Sequence, residues 1–505
     1  MPDAVNPPAA RGRTVQEYID ERPIWPDGTH LPSIPMTKMQ RRIWTLAAAG
    51  KFFEGFVVFM TGVAVPLIAR QFEITPTQKG MVAAASLCGI LIGALGLGSL
   101  SDYFGRKSMF VVEMIIFTAF LGAAVFCTSF TSLVFCLFGL GLALGCDYPT
   151  AHMIISENIP STSRGKLVLA AFAFQSVGAV GGAAVGYAVL RAVPNLDAWR
   201  WMYATAVVPA VVVTIGRFYI TESANWLHTR GATDRAQVAA RRLLVRTPQY
   251  PRDIVLAPRP AAAGGNGHGG GSFLSLFGSR YRRATILASV PWFLQDLGTY
   301  GIGIFAPTIL ATTLGHKADH VRSMSDLIAN ATLAARGDAM ITMLLIVGIA
   351  FAVVLADRVG RIRLQIFGFI GCAAGLLIAS LSVGASGGLK ITLIFVGFML
   401  FDFMTNLGPN AQTYLLAGEV FPTSVRGKGA GFAAAFAKIG AVMTTFLFPI
   451  LLATIGTRLL LYGLVVAFLL GAVVTWFFRI ETTGVNLDQI GENPAVEEEP
   501  RAAVA

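Results

Sequence analysis

Long apolar stretches separated by short polar segments run through most of this chain of 505 residues. Each stretch is close to the ~20 residues with which an α-helix crosses the hydrocarbon core of a bilayer. The stretches fall into two sets of six, one on either side of a long polar segment. They lie near residues 43–69, 80–100, 108–127, 130–155, 167–190, 200–220, 284–313, 338–356, 363–383, 388–414, 428–453 and 458–478. The pattern predicts an all-α membrane protein with 12 transmembrane helices in two six-helix bundles.

The composition supports this prediction and excludes a soluble multidomain protein. Hydrophobic residues make up 54% of the chain and charged residues only 13%, whereas soluble proteins average about 25% charged residues. The mean hydropathy is +0.64. A net charge of +11 would suit a nucleic-acid partner, but the basic residues are concentrated in alternate loops. That distribution favours an orientation with both termini in the cytoplasm and no nucleic-acid partner.

The same features divide the chain into five predicted regions. These are a cytoplasmic N-terminal tail (1–42), a first bundle (43–221), a cytoplasmic linker (222–283), a second bundle (284–480) and a cytoplasmic C-terminal tail (481–505). The tail lacks the basic-then-apolar pattern of a cleavable leader. The linker is rich in Arg and Gly, so we expect it to be flexible and without a core. The five cysteines have neither zinc nor disulfide spacing, and no metal or cofactor is expected.

Short charged motifs recur at corresponding places in the two halves. An Asp near one helix terminus, with Arg and Glu opposite it, makes a charge network that can form in one conformation and break in another. The network predicted from these motifs is a gate made of Gly98, Asp102, Gly105, Arg106, Glu157 and Arg164 in the first half, and Asp357, Arg361, Glu419 and Arg426 in the second. Thr221-Glu222-Ser223 after span 6 is echoed by Ile480-Glu481-Thr482 after span 12.

With these motifs, residues 40–485 resemble the major facilitator superfamily. The resemblance implies the major facilitator fold, in which two six-helix bundles rock about a binding site near the membrane midplane.

Charged residues inside the apolar stretches each require an explanation, because a charge at the bilayer centre costs ~2.5–3.5 kcal/mol. We interpret Lys51 and Glu54, three residues apart, either as a local ion pair or as functional groups. Near the predicted span ends, Glu113 and Asp402 fit helix packing or snorkelling as well as function. Deep in three different spans, Asp147, Asp296 and Lys438 favour function. A desolvated carboxyl group accepts and releases protons near neutral pH, as proton coupling requires.

Four further motifs narrow the resemblance to the phosphate:proton symporters of the superfamily. They are Gly145-Cys-Asp147-Tyr148-Pro149, Trp292-Phe-Leu-Gln-Asp296-Leu-Gly-Thr-Tyr300, Asn406-Leu-Gly-Pro-Asn410 and Lys438-Ile-Gly440. The resemblance implies that the substrate ligands are Tyr148, Gln175, Trp292, Asp296, Tyr300 and Asn406, together with Asn410 and Lys438. It also implies a proton route through Glu54, Glu113, Asp147 and Asp296. The chain departs from the family in span 1, where Val57 replaces a second acid and Lys51 is added.

The sequence therefore predicts a proton-coupled symporter of a small anion, with inorganic phosphate as the first candidate. An organic acid or a sugar is the alternative substrate, and a non-transporting nutrient sensor is a second alternative function. An enzyme is disfavoured, because no H-E-x-x-H, G-x-S-x-G or P-loop motif is present. We expect the solute, protons and the lipid bilayer as partners, a monomer, and a bacterial inner membrane as the location.

Overall fold

The computed structural model describes residues 13–24, 28–97, 100–245, 254–257, 273–314, 324–422 and 425–482. Within these ranges the chain is helical and forms no β-strand. The helices of the first half are α1 (Val15–Ile19), α2 (Lys38–Gln71), α3 (Pro76–Ile92), α4 (Leu100–Phe104), α5 (Arg106–Val125), α6 (Phe130–Asn158), α7 (Arg164–Phe172), α8 (Phe174–Ala192) and α9 (Ala198–Phe218). A π-helical turn, Gly93–Leu97, follows α3.

The second half repeats this arrangement after two short helices. These are α10 (Ala224–Thr229) and α11 (Thr233–Leu243). The helices of the second half are α12 (Ser279–Leu314), α13 (Met324–Val359), α14 (Arg361–Leu381), α15 (Gly387–Leu407), α16 (Pro409–Glu419) and α17 (Arg426–Phe478).

In the described part of the chain, 10 helical segments are long and apolar enough to cross a membrane. One of them lies within α17, which joins two predicted spans across Gly456, a residue with φ of +75°. The seventh predicted span is α12, a helix of 36 residues that is not among the 10. Counting α12 and both parts of α17 is consistent with the predicted two sets of six helices.

Two of the spans are broken near their middle. Span 5 divides into α7 and α8 at Ala173, and span 10 divides into α15 and α16 at Gly408. Pro409 follows that break and lacks the N–H group that would continue the hydrogen bonding of α15. Broken helices inside a membrane are tolerated where the backbone lines a cavity or is covered by protein. The two breaks therefore indicate where the two bundles enclose a site.

The expectation of a flexible linker is wrong for its first part. Helix α11 has an amphipathic pattern that buries Ala236, Ala240 and Leu243 against the first bundle, and the hydroxyl of Thr37 donates to the carbonyl of Leu243 at 2.7 Å. The N-terminal segment packs there too, since the hydroxyl of Tyr18 donates to the carbonyl of Val255 at 3.0 Å. The apolar face of α11 consists of small alanines and one leucine, so the average composition of the linker did not indicate it. The Gly-rich stretch 261–271 lies outside the described residues.

Glycines allow α2 and α8 to pack closely through their backbones. A Cβ atom added at Gly178 would overlap the carbonyl oxygen of Phe52, and one added at Gly55 would overlap the carbonyl oxygen of Gln175. Small residues at such contacts are typical of membrane helices, where association depends on packing more than on the hydrophobic effect. The close approach brings the face of α2 that carries Glu54 against the start of α8.

We expect Gly178→Ala to lower the thermal unfolding temperature of the detergent-solubilised protein, although alanine favours a helix. The new methyl group forces α8 away from α2, and such overpacking costs about 1–3 kcal/mol. Gly181→Ala is the matched control on the same helix, because its nearest neighbour, a ring carbon of Phe56, would be 3.4 Å away. Equal unfolding temperatures for the two variants would contradict the close packing.

Candidate substrate and proton site

The two helix breaks place several of the predicted ligands between the bundles. Gln175 is the second residue of α8, and Asn406 and Asn410 lie on either side of the break at Gly408. They line a small cavity together with residues of α2, α12 and α13. Its lining includes Phe59, Gln175, Ser176, Tyr300, Asn406 and Asn410.

Glu54 of α2 joins the first bundle to the second at this cavity. The predicted ion pair is present, with Lys51 Nζ 3.0 Å from Glu54 Oε2. The other carboxylate oxygen, Oε1, accepts hydrogen bonds from Gln175 Nε2 at 3.2 Å and from Tyr300 Oη at 3.1 Å. Since Tyr300 belongs to α12, a proton or ligand that changes Glu54 also changes a contact between the halves.

Lys438 of α17 lies between carboxylates of both halves. Its Nζ donates to Asp296 Oδ2 at 3.2 Å and to Tyr300 Oη at 2.7 Å, and it is 3.9 Å from Glu54 Oε1. Lys438 is 5% exposed, Asp296 1% and Glu54 2%. A desolvated ammonium group held in this way is stable only while its counter-charges remain.

Helix α9 supplies a cation that the sequence analysis did not recognise as functional. Arg217 is fully buried and bonds two acids of the first bundle, with Nη1 3.0 Å from Glu113 Oε1 and Nη2 2.6 Å from Asp147 Oδ1. Its guanidinium also lies over the ring of Phe110, 3.5 Å from the centroid. The snorkelling interpretation of Glu113 is wrong, because its carboxylate is buried in this network. Arg217 lies in the last turn of α9, where basic residues normally reach water, so its position gave no signal of this role.

The carboxylate network of Arg217 lies beside the network of Lys438. The carboxylate of Asp147 lies so close to Gly50 of α2 that a side chain at Gly50 would overlap it, and Gly50 precedes Lys51. Asp147 and the Lys51–Glu54 pair therefore lie along the same stretch of α2, and Glu113 joins Asp147 through Arg217.

Amide side chains connect the halves on the other side of the cavity. Asn406 Nδ2 donates to Ser176 Oγ of α8 at 2.7 Å and to the carbonyl of Leu345 of α13 at 2.8 Å. Asn410 Nδ2 donates to Asn406 Oδ1 at 2.7 Å. Ser176 was not predicted as a site residue, although it directly follows Gln175.

Trp292 lies outside this network although it shares a face of α12 with Asp296 and Tyr300. It packs in an apolar cluster of the second bundle, with its ring 6.2 Å from that of Tyr414. The ring of Tyr414 stacks on Phe172 of α7 at 4.4 Å, and its hydroxyl is 3.2 Å from His152 Nδ1. Tyr414, which the sequence analysis missed, thus connects the second half to α6 and α7 of the first half. The side chain of the remaining predicted ligand, Tyr148, lies outside the described part.

The predicted gate residues form equivalent ion pairs in the two halves. Arg106 Nη2 is 3.2 Å from Glu157 Oε1, and Arg361 donates to both oxygens of Glu419 at 3.0 and 3.2 Å. Arg164 makes no ion pair within the described ranges. Gly98 and the side chains of Asp102, Asp357 and Arg426 lie outside them.

Glu222 and Glu481 cap the helices that begin at these gates. Glu222 Oε1 accepts from the backbone N–H of Lys107 at 2.9 Å, and Glu481 Oε1 accepts from that of Arg361 at 3.1 Å. A carboxylate is favoured at a helix N-terminus by the helix dipole. The preceding glycines, Gly105 and Gly360, have φ of +98° and +97°, and a Cβ atom there would lie 2.5 and 2.8 Å from the capping carboxylates. The similar motifs after spans 6 and 12, which contain Glu222 and Glu481, therefore form the same helix cap in the two halves.

We expect Arg217→Gln to lower the stability of the protein by about 3–5 kcal/mol, because it leaves two buried carboxylates uncompensated. Adding Glu113→Gln to the same chain should restore part of this loss, since one of the two charges is then removed. Thermal unfolding of the two variants in detergent measures the difference. A double variant as unstable as Arg217→Gln would show that Arg217 stabilises the bundle without pairing with Glu113.

Comparison with known proteins supports the architecture. The family model described as sugar (and other) transporter matches residues 43–493. The chain is 30% identical over 462 residues to the inner membrane metabolite transport protein YgcS of Escherichia coli (strain K12), covering 91% of this chain and 96% of that protein. It is 26% identical over 503 residues to the "probable inorganic phosphate transporter 1-12" of Oryza sativa subsp. japonica, covering 88% and 90%.

The fold is also that of a solved transporter. The partially occluded, inward-open xylose transporter XylE from E. coli superimposes with a TM-score of 0.70 at 20% identity, covering 89% of this chain and 100% of that one. The chain therefore belongs to the sugar (and other) transporter family of the major facilitator superfamily and is a multi-pass membrane transporter, not an enzyme.

Proposed function

We propose that this protein is a proton-coupled symporter of a small monovalent anion, with inorganic phosphate as the first candidate. The proposal rests on one observation. Lys438 lies between Asp296 and Tyr300 of its own half, and its Nζ is 3.9 Å from Glu54 Oε1 of the other half. An anion needs such a cation, and proton coupling needs carboxylates that compete for it.

The geometry suggests how the two events are coupled. While Asp296 is ionised, its carboxylate occupies Lys438 and repels an incoming anion. A proton on Asp296 removes this competitor and adds a hydrogen-bond donor at the same place. The freed ammonium group and the hydroxyl of Tyr300 can then bind the anion. Loss of the proton to the other side restores the ion pair and expels the substrate.

The charge of the central groups favours a monovalent substrate. Lys51 and Lys438 balance Glu54 and Asp296 when all four are ionised. One added proton leaves a single positive charge, which a monovalent anion neutralises and a divalent one exceeds. A low-dielectric site disfavours any uncompensated charge. Dihydrogen phosphate and monocarboxylates both meet this condition.

In this proposal, Glu113 and Asp147 deliver protons toward Glu54. Arg217 holds both acids in place through its two ion pairs. Gln175, Asn406 and Asn410 supply amide groups around the substrate, and Tyr148 and Trp292 remain candidate ligands. The gate pairs Arg106–Glu157 and Arg361–Glu419 stabilise one conformation of each half. We further propose a monomer in a bacterial inner membrane, with both termini in the cytoplasm.

We expect Asp296→Asn to abolish accumulation driven by a proton gradient, because the amide cannot titrate, and to leave the protein folded. Uptake of labelled phosphate into proteoliposomes with and without an inward proton gradient measures this. Glu73→Gln, an exposed acid at the end of α2, is the control and should accumulate substrate normally. Wild-type accumulation by Asp296→Asn would exclude the proposed role.

Lys438 should act through its charge, so Lys438→Arg should retain part of the activity and Lys438→Met very little. Both variants are compared by initial rates of uptake at equal amounts of reconstituted protein. Equal rates for the arginine and methionine variants would indicate that the ammonium group only pairs structurally.

Competition at fixed pH tests the substrate class. Phosphate and a monocarboxylate should each reduce uptake of labelled phosphate, whereas a neutral sugar should not. Strong competition by the monocarboxylate together with weak uptake of phosphate would favour an organic acid. Competition by the sugar alone would overturn the anion proposal in favour of the sugar alternative, which the family model also allows.

A further inference from the structure

The second bundle contains another pair of buried carboxylates, separate from the network of Lys438. Asp338 of α13 is 2% exposed and Asp402 of α15 is 7% exposed. The apolar pattern placed Asp338 at the start of a span and Asp402 near a span end. The structure places Asp338 deeper in its helix and leaves helix packing or function for Asp402. Helix α13 begins at Met324, so Asp338 lies about four turns inside it, and Asp402 is buried, so it does not snorkel.

The helices that carry the two acids pack side by side next to the substrate cavity. A Cβ atom at Gly348 of α13 would overlap the carbonyl oxygen of Phe403 of α15, and Asn406 donates to the carbonyl of Leu345. Asp402 lies one turn before Asn406, and Asp338 lies two turns before Leu345 on the same helix face. The two carboxylates interact electrostatically. Leu345 and Asn406 both line the cavity, so the pair adjoins the site already described.

This pair differs from the other intramembrane acids because no counter-cation for it is found among the described residues. Glu54, Glu113, Asp147 and Asp296 each form an ion pair, but neither Asp338 nor Asp402 forms one with any described residue. Moreover, Asp338 Oδ2 is buried without a hydrogen-bond partner. Two carboxylates that repel each other in a low-dielectric interior without a cation resist ionising together, and one bound proton removes the repulsion.

Within the described ranges, the charged and titratable groups nearby provide no cation for the pair. On α14, the thiol of Cys372 interacts with Asp402 and lies 3.2 Å from the hydroxyl of Thr405. Asp296 of α12 and Lys438 of α17 are bonded to each other. Arg336 of α13 is exposed and interacts with Tyr187 of α8, as does Arg191.

We propose that Asp338 and Asp402 form a second proton-binding site, in which one of the two carboxylates holds a proton and releases it during the transport cycle. The described residues contain no group of three or more His, Cys, Asp or Glu side chains suited to a metal ion, which favours a proton over a metal cation. The release step rests on the proposed symport, whereas the binding of the proton does not.

Infrared spectroscopy of the purified protein tests the proton site without any transport. The wild-type protein at neutral pH should show a carbonyl band of a protonated carboxylic acid that shifts in heavy water and is missing from Asp338→Asn/Asp402→Asn. Identical spectra would mean that both carboxylates are ionised and would overturn the proposal. Loss of the wild-type band when sodium chloride replaces choline chloride would overturn it too, in favour of a sodium site.

Release of this proton during transport is tested by the number of protons that move with each phosphate. Reversal potentials measured in proteoliposomes give this ratio. The double variant should couple one proton fewer than the wild type, and Glu73→Gln should match the wild type. An unchanged ratio in the double variant would refute release. If phosphate uptake by the wild-type protein does not depend on the proton gradient, the proposed symport is refuted instead. The infrared experiment then still tests whether Asp338 and Asp402 bind a proton. If the double variant does not fold, the single variant Asp402→Asn is used for the infrared measurement. It should shift the carbonyl band, because the group next to Asp338 changes. An unshifted band would overturn the pairing.

Discussion

The need to neutralise charge inside a bilayer explains most of the interior of this transporter. Lys438 is stable in its buried position because Asp296, Tyr300 and Glu54 surround it, and these groups come from both bundles. The same requirement places Arg217 between Glu113 and Asp147. Each ion pair therefore stabilises the fold and at the same time makes it sensitive to protonation, since neutralising one partner leaves the other uncompensated. A proton that binds to Glu54 or Asp296 therefore changes the forces between the two halves.

Backbone features put these groups within reach of one another. Glycines bring α2 and α8 close enough for Glu54 to meet Gln175, and the break at Gly408 turns Asn406 and Asn410 toward the cavity. Neither the glycines nor the break carries any chemistry. They determine which side chains can touch, so a methyl group added at Gly178 acts on the site from a distance.

The sequence allowed the membrane architecture, the repeated motifs and most of the central residues to be predicted, because apolar runs and buried charges are local properties. Thus the Lys51–Glu54 pair and the carboxylate at position 296 were visible in the sequence alone. Arg217 was not, since it lies at the end of an apolar run and its partners are about 70 and 104 residues away. Asp338 was misplaced for a similar reason, because α13 extends into residues less apolar than the run that defined the span. Helix α11 was missed because its apolar face consists mainly of alanine.

The two halves share their gates but not their buried acids. Glu222 and Glu481 cap corresponding helices and meet corresponding glycines, so an ancestral repeat explains the gate geometry. In the first half, however, the acids at positions 113 and 147 are tied to an arginine, whereas Asp338 and Asp402 of the second have no cation among the described residues. Arg217 compensates negative charge on Glu113 and Asp147, whereas the proposed site at Asp338 and Asp402 compensates it with a bound proton. The halves thus repeat the geometry of their charged loops but differ in how their buried carboxylates are compensated, so a proton that reaches these acids meets an arginine in the first half and no described cation in the second.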